Sequence, residues 1–322
     1  MIDVSIIIVS WNVADLLDAC LRSIVTGPVA VVPPDREVST EDGRVSVEII
    51  VVENASTDHS AAVLARYPEV RVLAQPENVG FTRGNNLGLA VARGRYVMLL
   101  NPDTEVLVDA IPVLAAYLDA HPDVGIVGPH TLNTDGSTQS TRRQFPGLIT
   151  ALFESTWLQG IAPPGLLRRY YMDDAPDDGI FDVGWMQGSA LMVRREVVEQ
   201  IGGLDEGYVM YSEEMDWCKR AADAGWRLVY VGAAQIVHHG GKSSEQVVSR
   251  RHIYFQQSKV RYFCKHHGRL AGELLRWYLL AQYAWQIGLE GLKALVGHKR
   301  AMRRERMAAY WQVLRSGLRS ER

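Results

Sequence analysis

Short runs of continuous hydrophobicity alternate with stretches of helical period along most of the chain. Residues 4–9 and 47–52 are apolar at almost every position, which reads as strands buried on both faces of a parallel sheet. Residues 70–74 predict a third strand. Residues 14–25 predict an amphipathic helix, Thr57-Asp58 opens another reaching residue 66, and residues 82–92 predict a third. Farther on come a helix over 109–120, strands over 124–128 and 188–193, a helix over 212–224 capped by Ser212, and a strand over 228–231. The alternation predicts a doubly wound α/β sheet with right-handed crossovers. Residues 27–44 read as a long polar loop, 131–180 as an irregular substrate-side lid or loop, and 237–243 as a loop.

The pattern changes near residue 270. Leu274, Tyr278, Ala281, Trp285, Leu289, Leu292 and Val296 recur at spacings of three and four, with Gln282, Gln286, Glu290 and Lys293 opposite. A spanning helix needs ~20 mostly apolar residues. The spacing therefore suits a helix lying at a membrane surface, or packing on the body or on a second copy of the chain. Charge sharpens this. The net charge of −3 divides into +8 for residues 265–322 and −11 for residues 1–264. An acidic body with a basic tail predicts an anionic partner for the tail, and no nucleic acid is expected. Domains are accordingly expected at 1–262 and 263–322. Cys20, Cys218 and Cys264 form no CxxC pair, and the start Met1-Ile2-Asp3-Val4 lacks a signal peptide's basic end, so a cytoplasmic setting is expected.

Candidate chemistry gathers where predicted strands end. The apolar run 96–100 stops at Asn101-Pro102-Asp103. Proline cannot continue the strand, so the chain turns there and presents Asp103 at the carboxyl edge, suited to a divalent cation that also holds phosphate oxygens. Ser10-Trp11-Asn12 follows the first strand, and Glu53-Asn54-Ala55-Ser56-Thr57-Asp58 the second. Their short polar side chains suit a base or ribose, although the second motif is more often a turn and helix cap. In the segment 78–88, Gly80 suits close backbone approach to an anion. It is neither a GxGxxG fingerprint nor a P-loop. Tyr211-Ser212-Glu213-Glu214-Met215-Asp216-Trp217 crowds carboxylates at a helix start. That is either favourable placement against the helix dipole or, through repulsion and burial, a raised pKa useful to a general base. His238-His239 precede Gly240-Gly241, in a loop suited to a metal or phosphate.

Taken in order, these clusters resemble the family 2 glycosyltransferases of the GT-A fold, in their rhamnosyltransferase-like branch, over roughly residues 3–260. The resemblance implies a doubly wound mixed sheet flanked by helices, with a C-terminal helical extension. It implies that Ser10, Asn12, Glu53, Asn54, Asp58, Asn78, Gly80, Asn86 and Asn101 line the donor site. Asp103 would hold Mg2+ or Mn2+ with His238, or else His239. Trp185, Gln187 and Gly188 would form the acceptor floor. Glu214 would be the general base, supported by Glu213 and Asp216. Three positions depart from the family pattern: Glu53 and Glu214 stand where Asp is commoner, and Asn101 replaces the first carboxylate of Asp-x-Asp.

The implied reaction is an inverting transfer from a dTDP-, UDP- or GDP-sugar to a glycan or lipid-linked acceptor in surface-polysaccharide synthesis. The enzyme would sit peripherally on the inner face of the cell membrane. Two rivals are a nucleotidyltransferase that makes sugar nucleotides, and a non-catalytic sugar-nucleotide-binding protein. The first would want a Gly-rich basic loop where Ser10-Trp11-Asn12 stands. Only Asn101 hints at the second.

Overall fold

The apolar runs of the sequence become the inner strands of one sheet because helices cover both of its faces. The structure, a computed structural model, describes residues 1–34, 36, 43–107, 109–240, 248–295, 297 and 299–319, with backbone alone at 248–251. In chain order the first part runs β1 (Val4–Ser10), α1 (Ala14–Val25), β2 (Val29–Val31), β3 (Val45–Glu53), α2 (Ser60–Leu64), β4 (Val70–Ala74), α3 (Phe81–Val91), β5 (Tyr96–Leu100), β6 (Thr104–Val106), α4 (Ala110–Ala120) and β7 (Val124–Leu132). There follow β8 (Arg142–Arg143), α5 (Leu148–Phe153), a 3-10 turn (Trp157–Ile161), α6 (Leu166–Tyr171), β9 (Ile180–Asp182), β10 (Trp185–Met186), β11 (Ala190–Arg194), α7 (Arg195–Ile201), α8 (Glu213–Asp223) and β12 (Arg227–His238). Three helices close the chain: α9 (Val248–His266), α10 (Arg269–Leu295) and α11 (Arg300–Ser316).

The main sheet has the order β2-β3-β1-β5-β11-β7-β12-β6, with β4 also on β3 and β9 also on β12. β1 is parallel to β3 and β5, β11 runs antiparallel between β5 and β7, and β12 is parallel to β7. The sheet is therefore mixed. Successive residues of β1 point to opposite faces. Ile6 and Ile8 enter a core with Leu17 and Leu21 of α1 and Leu114 and Leu118 of α4. Ile7 and Val9 meet α3 at Gly88 and Gly84. A Cβ on Gly88 would lie 2.4 Å from Ile7 Cγ2, so only glycine lets that helix approach so closely.

Most expected elements stand, within a few residues at their ends. One difference matters: β12 extends to His238 instead of stopping at residue 231. A register shift between Val231 and Gln235 bends the strand, which then pairs with β6, Ile236 opposite Val106 and His238 opposite Thr104. His238 is thus a strand residue and not a loop residue. Gly241, Lys242 and Ser243 of the expected loop, and much of 27–44, lie outside the described residues. Ser212 has φ +64°, a left-handed residue where a cap would be extended.

The chain divides into two compact units. The first is Met1–Phe145, Tyr171–Glu206 and Glu214–Ser243, and contains the sheet. The second is Pro146–Tyr170, Gly207–Glu213 and Ser244–Arg322. In this division the helical unit starts ahead of the 262/263 boundary read from charge and includes two mid-chain segments. Its interior holds Tyr262, Phe263, Leu275, Leu279 and Val313. On α10 several of the expected apolar positions face outward. Gln282 and Glu290 are buried, while Leu274, Trp285 and Leu292 are exposed. Glu290 turns inward because Arg303 of α11 forms a buried ion pair with it. Val296 lies outside the described residues. Among the described residues, no helix is long and apolar enough to cross a membrane.

Candidate active site

The first unit collects its polar side chains along one edge of the sheet. Ser10 lies opposite Glu53 in the β1–β3 ladder, so the segments that follow both strands emerge side by side. β5 ends at Leu100, opposite Ala190 at the start of antiparallel β11. β12 ends at His238 beside Thr104. Asn12, Asn54, Asn101, Asp103, Gly188 and His238 therefore share the carboxyl edge, where open α/β sheets form their clefts.

At the β1–β3 corner, side chains brace the backbone. Asn12, left-handed at φ +53°, accepts the Thr57 amide at Oδ1 at 2.7 Å. Glu53 Oε1 accepts the Ser56 amide at 2.7 Å. Asp58 accepts the Ala14 amide at 2.9 Å and the Ser60 amide at 3.0 Å, pinning the starts of α1 and α2. Burial pushes the Asp58 carboxyl up, but the Ser60 hydroxyl and those two amides outweigh it and hold the pKa below its ordinary value. Asn54 donates to Asn78 Oδ1 at 2.9 Å and accepts the Val79 amide at 2.8 Å, while Asn78 also accepts the Gly80 amide. Gly80 takes φ +84° as it enters α3, a conformation L side chains rarely adopt.

The β5–β6–β12 corner is different. Asp103 is 5% exposed and its Oδ1 lies 3.2 Å from His238 Nε2. The β6–β12 ladder makes this pairing, and it also sends the His239 amide to the Asp103 carbonyl at 2.9 Å. His239 itself turns to Glu105, 2.6 Å from Oε1. His238 Nδ1 lies 2.7 Å from Gln139 Oε1, and the Gln139 amide nitrogen donates to Asn133 Oδ1 at 3.0 Å. With Gln139 Oε1 as the acceptor, the tautomer of His238 that carries its proton on Nδ1 presents a lone pair at Nε2.

A carboxylate and an imidazole lone pair aimed at each other are a cation's donor set. Two ligands bonded at ~2.1 Å and at right angles would sit ~3.0 Å apart, near the observed separation. Asn101 Oδ1 and Thr104 Oγ1, on either side of Asp103, are buried without a partner among the described residues. The residues fit a divalent cation. Among the described residues no group of three or more His, Cys, Asp or Glu surrounds such a point. A hard cation held by one or two protein ligands takes the rest from phosphate and water.

A short path leads from this corner to α8. The Asn101 amide donates to the Ser189 carbonyl at 3.0 Å, and next to Ser189 stands Gly188. A Cβ on Gly188 would touch Glu214 at 3.5 Å. Burial raises the Glu214 pKa, while amides of Glu214, Gly188 and Met215 oppose the shift, and its Oε2 is buried without a partner among the described residues. The neighbouring segment 185–188 is braced by hydrogen bonds. β10 pairs with β8, the Trp185 indole donates to the Gln144 carbonyl at 3.1 Å, and the Gln187 amide donates to the Thr141 carbonyl at 2.9 Å.

Two expected site residues make structural contacts of their own. Asn86 bonds the Leu204 amide and carbonyl, each at 2.9 Å, and Glu206 at 3.0 Å, so it fastens α3 to the 204–206 loop. Asp216 is fully buried against Arg220 at 2.9 Å, and Arg220 also donates to the Ile201 and Gly203 carbonyls. Glu213 is buried as well and belongs to the second unit. Conversely, Gln139 is absent from the sequence-derived set. It lies 99 residues from His238, and nothing in Thr138-Gln139-Ser140 marks it.

Comparison with known proteins bears on this edge. Residues 5–202 match the family described as glycosyl transferase family 2. The chain is 31% identical over 250 residues to the N-acetylglucosaminyl-diphospho-decaprenol L-rhamnosyltransferase of Mycobacterium tuberculosis, covering 74% of this chain and 81% of that one. Rhamnosyltransferase WbbL of Escherichia coli K12 is 25% identical over 196 residues, 58% of this chain and 70% of WbbL. The mannosyltransferase PcManGT of Pyrobaculum calidifontis, solved with GDP-Man and Mn2+, has a TM-score of 0.54 at 18% identity, over 98% of this chain and 86% of that one, a likeness of fold. The mixed sheet with its flanking helices is the GT-A fold. On these grounds the chain belongs to glycosyl transferase family 2, in its rhamnosyltransferase-like branch, and is a glycosyltransferase.

Proposed function

We propose that this enzyme transfers a sugar with inversion, in the presence of a divalent cation, from a nucleoside diphosphate to a lipid-linked glycan acceptor. One observation carries the reading. Beside the Asp103–His238 pair, Asn101 Oδ1 and Thr104 Oγ1 are buried without a partner among the described residues, as is Glu214 Oε2 past Ser189 and Gly188. Each such atom costs about 1–3 kcal/mol, so a bound ligand that meets them recovers a large stabilisation.

Asp103 Oδ1 and His238 Nε2 would hold the cation, Mg2+ or Mn2+. PcManGT was solved with Mn2+, which supports that class of ion. When bound, the cation supplies positive charge against the departing diphosphate. Gln139 keeps the Nδ1 proton in place so that Nε2 remains a ligand. Asn12, Glu53, Asn54, Asp58, Asn78 and Gly80 shape the wall on which the nucleotide lies. Glu214, its pKa raised by burial, accepts the proton of the acceptor hydroxyl as that oxygen attacks the anomeric carbon. Attack from the face opposite the leaving group inverts the centre in one step. Trp185, Gln187 and Gly188 form the floor that orients the acceptor.

The names of both rhamnosyltransferase relatives favour rhamnose, and the mycobacterial one favours a polyprenyl-diphosphate acceptor. The test supplies polyprenyl-diphospho-N-acetylglucosamine and Mn2+ with dTDP-rhamnose, UDP-sugars or GDP-sugars in turn. A disaccharide-lipid product with inverted anomeric configuration is expected. Pyrophosphate release from sugar-1-phosphate and a nucleoside triphosphate, with no transfer from any donor, would overturn the reading in favour of a nucleotidyltransferase.

A further inference from the structure

The outward side of α10 has the composition of a protein interior. Leu270, Leu274, Trp277, Trp285, Leu292 and Leu295 are each more than half exposed, Leu270 at 76% and Trp277 at 62%. Between Leu270 and Leu292 the other exposed positions are Ala281, Ala284 and Gly288. At 100° per residue these nine positions fall within an arc of about 100°, along a helix of about 40 Å. Not one of them carries a charge or a hydrogen-bonding chain apart from the two indoles. The helix turns its polar residues the other way. Gln282 is buried, Glu290 pairs with Arg303, and Arg276 donates to the Gly317 carbonyl at 3.0 Å. The apolar surface continues beyond the helix: the Trp157 ring lies 6.5 Å from that of Trp285, and Ile161, in the same turn as Trp157, is 71% exposed. A continuous exposed surface of this kind marks an interaction site.

Charge indicates the occupant. Lys265 and Arg269 are exposed at one end of the stripe, and Lys299 and Arg300 at the other. The acidic side chain beside the stripe, Glu273, is held by Arg276 at 2.8 Å. In a two-fold pairing of two α10 stripes, parallel or antiparallel, a cationic end would meet a cationic end. An apolar stripe with tryptophans and basic ends suits an anionic surface with an apolar layer beneath it.

We propose that this face of α10, with Trp157 and Ile161, lies in the interfacial layer of an anionic lipid bilayer. α10 then rests parallel to the membrane, its indoles at headgroup depth and its basic ends on lipid phosphates. The inference adds a docking surface to the lipid-linked acceptor reading; it draws its purpose from that reading and its evidence from the second unit alone.

The test is flotation of the full chain with vesicles of phosphatidylcholine alone and of phosphatidylcholine with about 30 mol% phosphatidylglycerol. The wild type is expected to float with the anionic vesicles only. The double variant Trp277→Glu, Trp285→Glu should bind them at least ~10-fold more weakly. Sedimentation velocity and a melting curve on the same variant check its fold. Flotation of the variant equal to wild type would overturn the proposal. So would a wild type that never floats, whether it sediments as a monomer or as a dimer that the double variant splits; the dimer would assign the stripe to a second copy. Titration of the variant with dTDP and Mn2+ separates this face from the catalytic reading: unchanged binding alongside lost flotation means that only the membrane contact was removed.

Discussion

Two corners of the same sheet edge use their polar side chains in opposite ways. At the β1–β3 corner, Asn12, Glu53, Asn54 and Asp58 accept amides of their own loop, of the starts of α1 and α2 and of the segment entering α3, and Ser10 Oγ alone of the expected donor-side residues there is buried without a partner among the described residues. At the β5–β12 corner, Asp103 faces His238 Nε2, and Asn101 and Thr104 keep unpartnered buried oxygens among the described residues. Glu214, reached through Ser189 and Gly188, carries another. The first corner gives shape, presented by a rigid backbone. The second gives chemistry, and it stores unfavourable energy that a bound ligand can relieve.

The contrast is strongest for Asp103. Replacing it with alanine should lower transfer by roughly 10³-fold or more, the several kcal/mol a catalytic cation supplies. Initial rates at saturating donor and Mn2+ measure this. A rate within tenfold of wild type would make the two corners alike. Glu214→Gln comes next. Transfer should fall by ~10²–10⁴-fold with donor affinity kept, the usual worth of a general base. Because burial raises the Glu214 pKa, the folded state binds its proton more tightly than the unfolded chain does. Stability then falls as pH rises from the ordinary glutamate value through the raised one. The glutamine variant should therefore melt at or above the wild-type temperature at neutral pH. Over the same window the transfer rate should climb with pH in the wild type and stay flat in the variant.

Gln139 probes the support of the second corner. Gln139→Leu removes the acceptor for His238 Nδ1 and should weaken Mn2+ binding by ~10–100-fold. Gln139→Glu restores an acceptor and should recover most of it. Free Mn2+ read by electron paramagnetic resonance makes the comparison without turnover. Asp58→Ala probes the first corner and should have the smallest functional effect. Loss of its helix-start hydrogen bonds should cost about 1 kcal/mol of stability, with nucleotide affinity changed less than threefold. The Asp58 pKa is depressed, so its contribution is present above the ordinary aspartate value and lost as pH falls through the folded one. A tenfold loss of donor affinity in this variant would make Asp58 a ligand contact and remove the contrast.

Much of the sheet is legible in the sequence because a strand covered on both faces must be apolar throughout, as in Val4–Ser10. Asp103 is legible because Pro102 forces the turn that presents it. His238 is visible as a residue but not as a strand end: its ladder partner, Thr104, is 134 residues away, and local propensity carries no register over such a distance. Gln139 is silent for the same reason. Asn86 and Asp216 are legible as polar residues beside motifs, but their contacts with Leu204 and Arg220 are not. On α10 the 3.6-residue period is plain, but which side faces inward depends on Arg303, whose partner Glu290 turns the polar side to the interior.

The proposed grip of the Asp103–His238 corner on a diphosphate through a cation is measured by calorimetric titration of dTDP, UDP and GDP. In the wild type, Mn2+ should tighten the best of the three by at least ~10-fold, the effect of one strong phosphate–cation contact, and in His238→Ala that increment should vanish while metal-free binding persists. Equal affinities with and without Mn2+ in the wild type would contradict it.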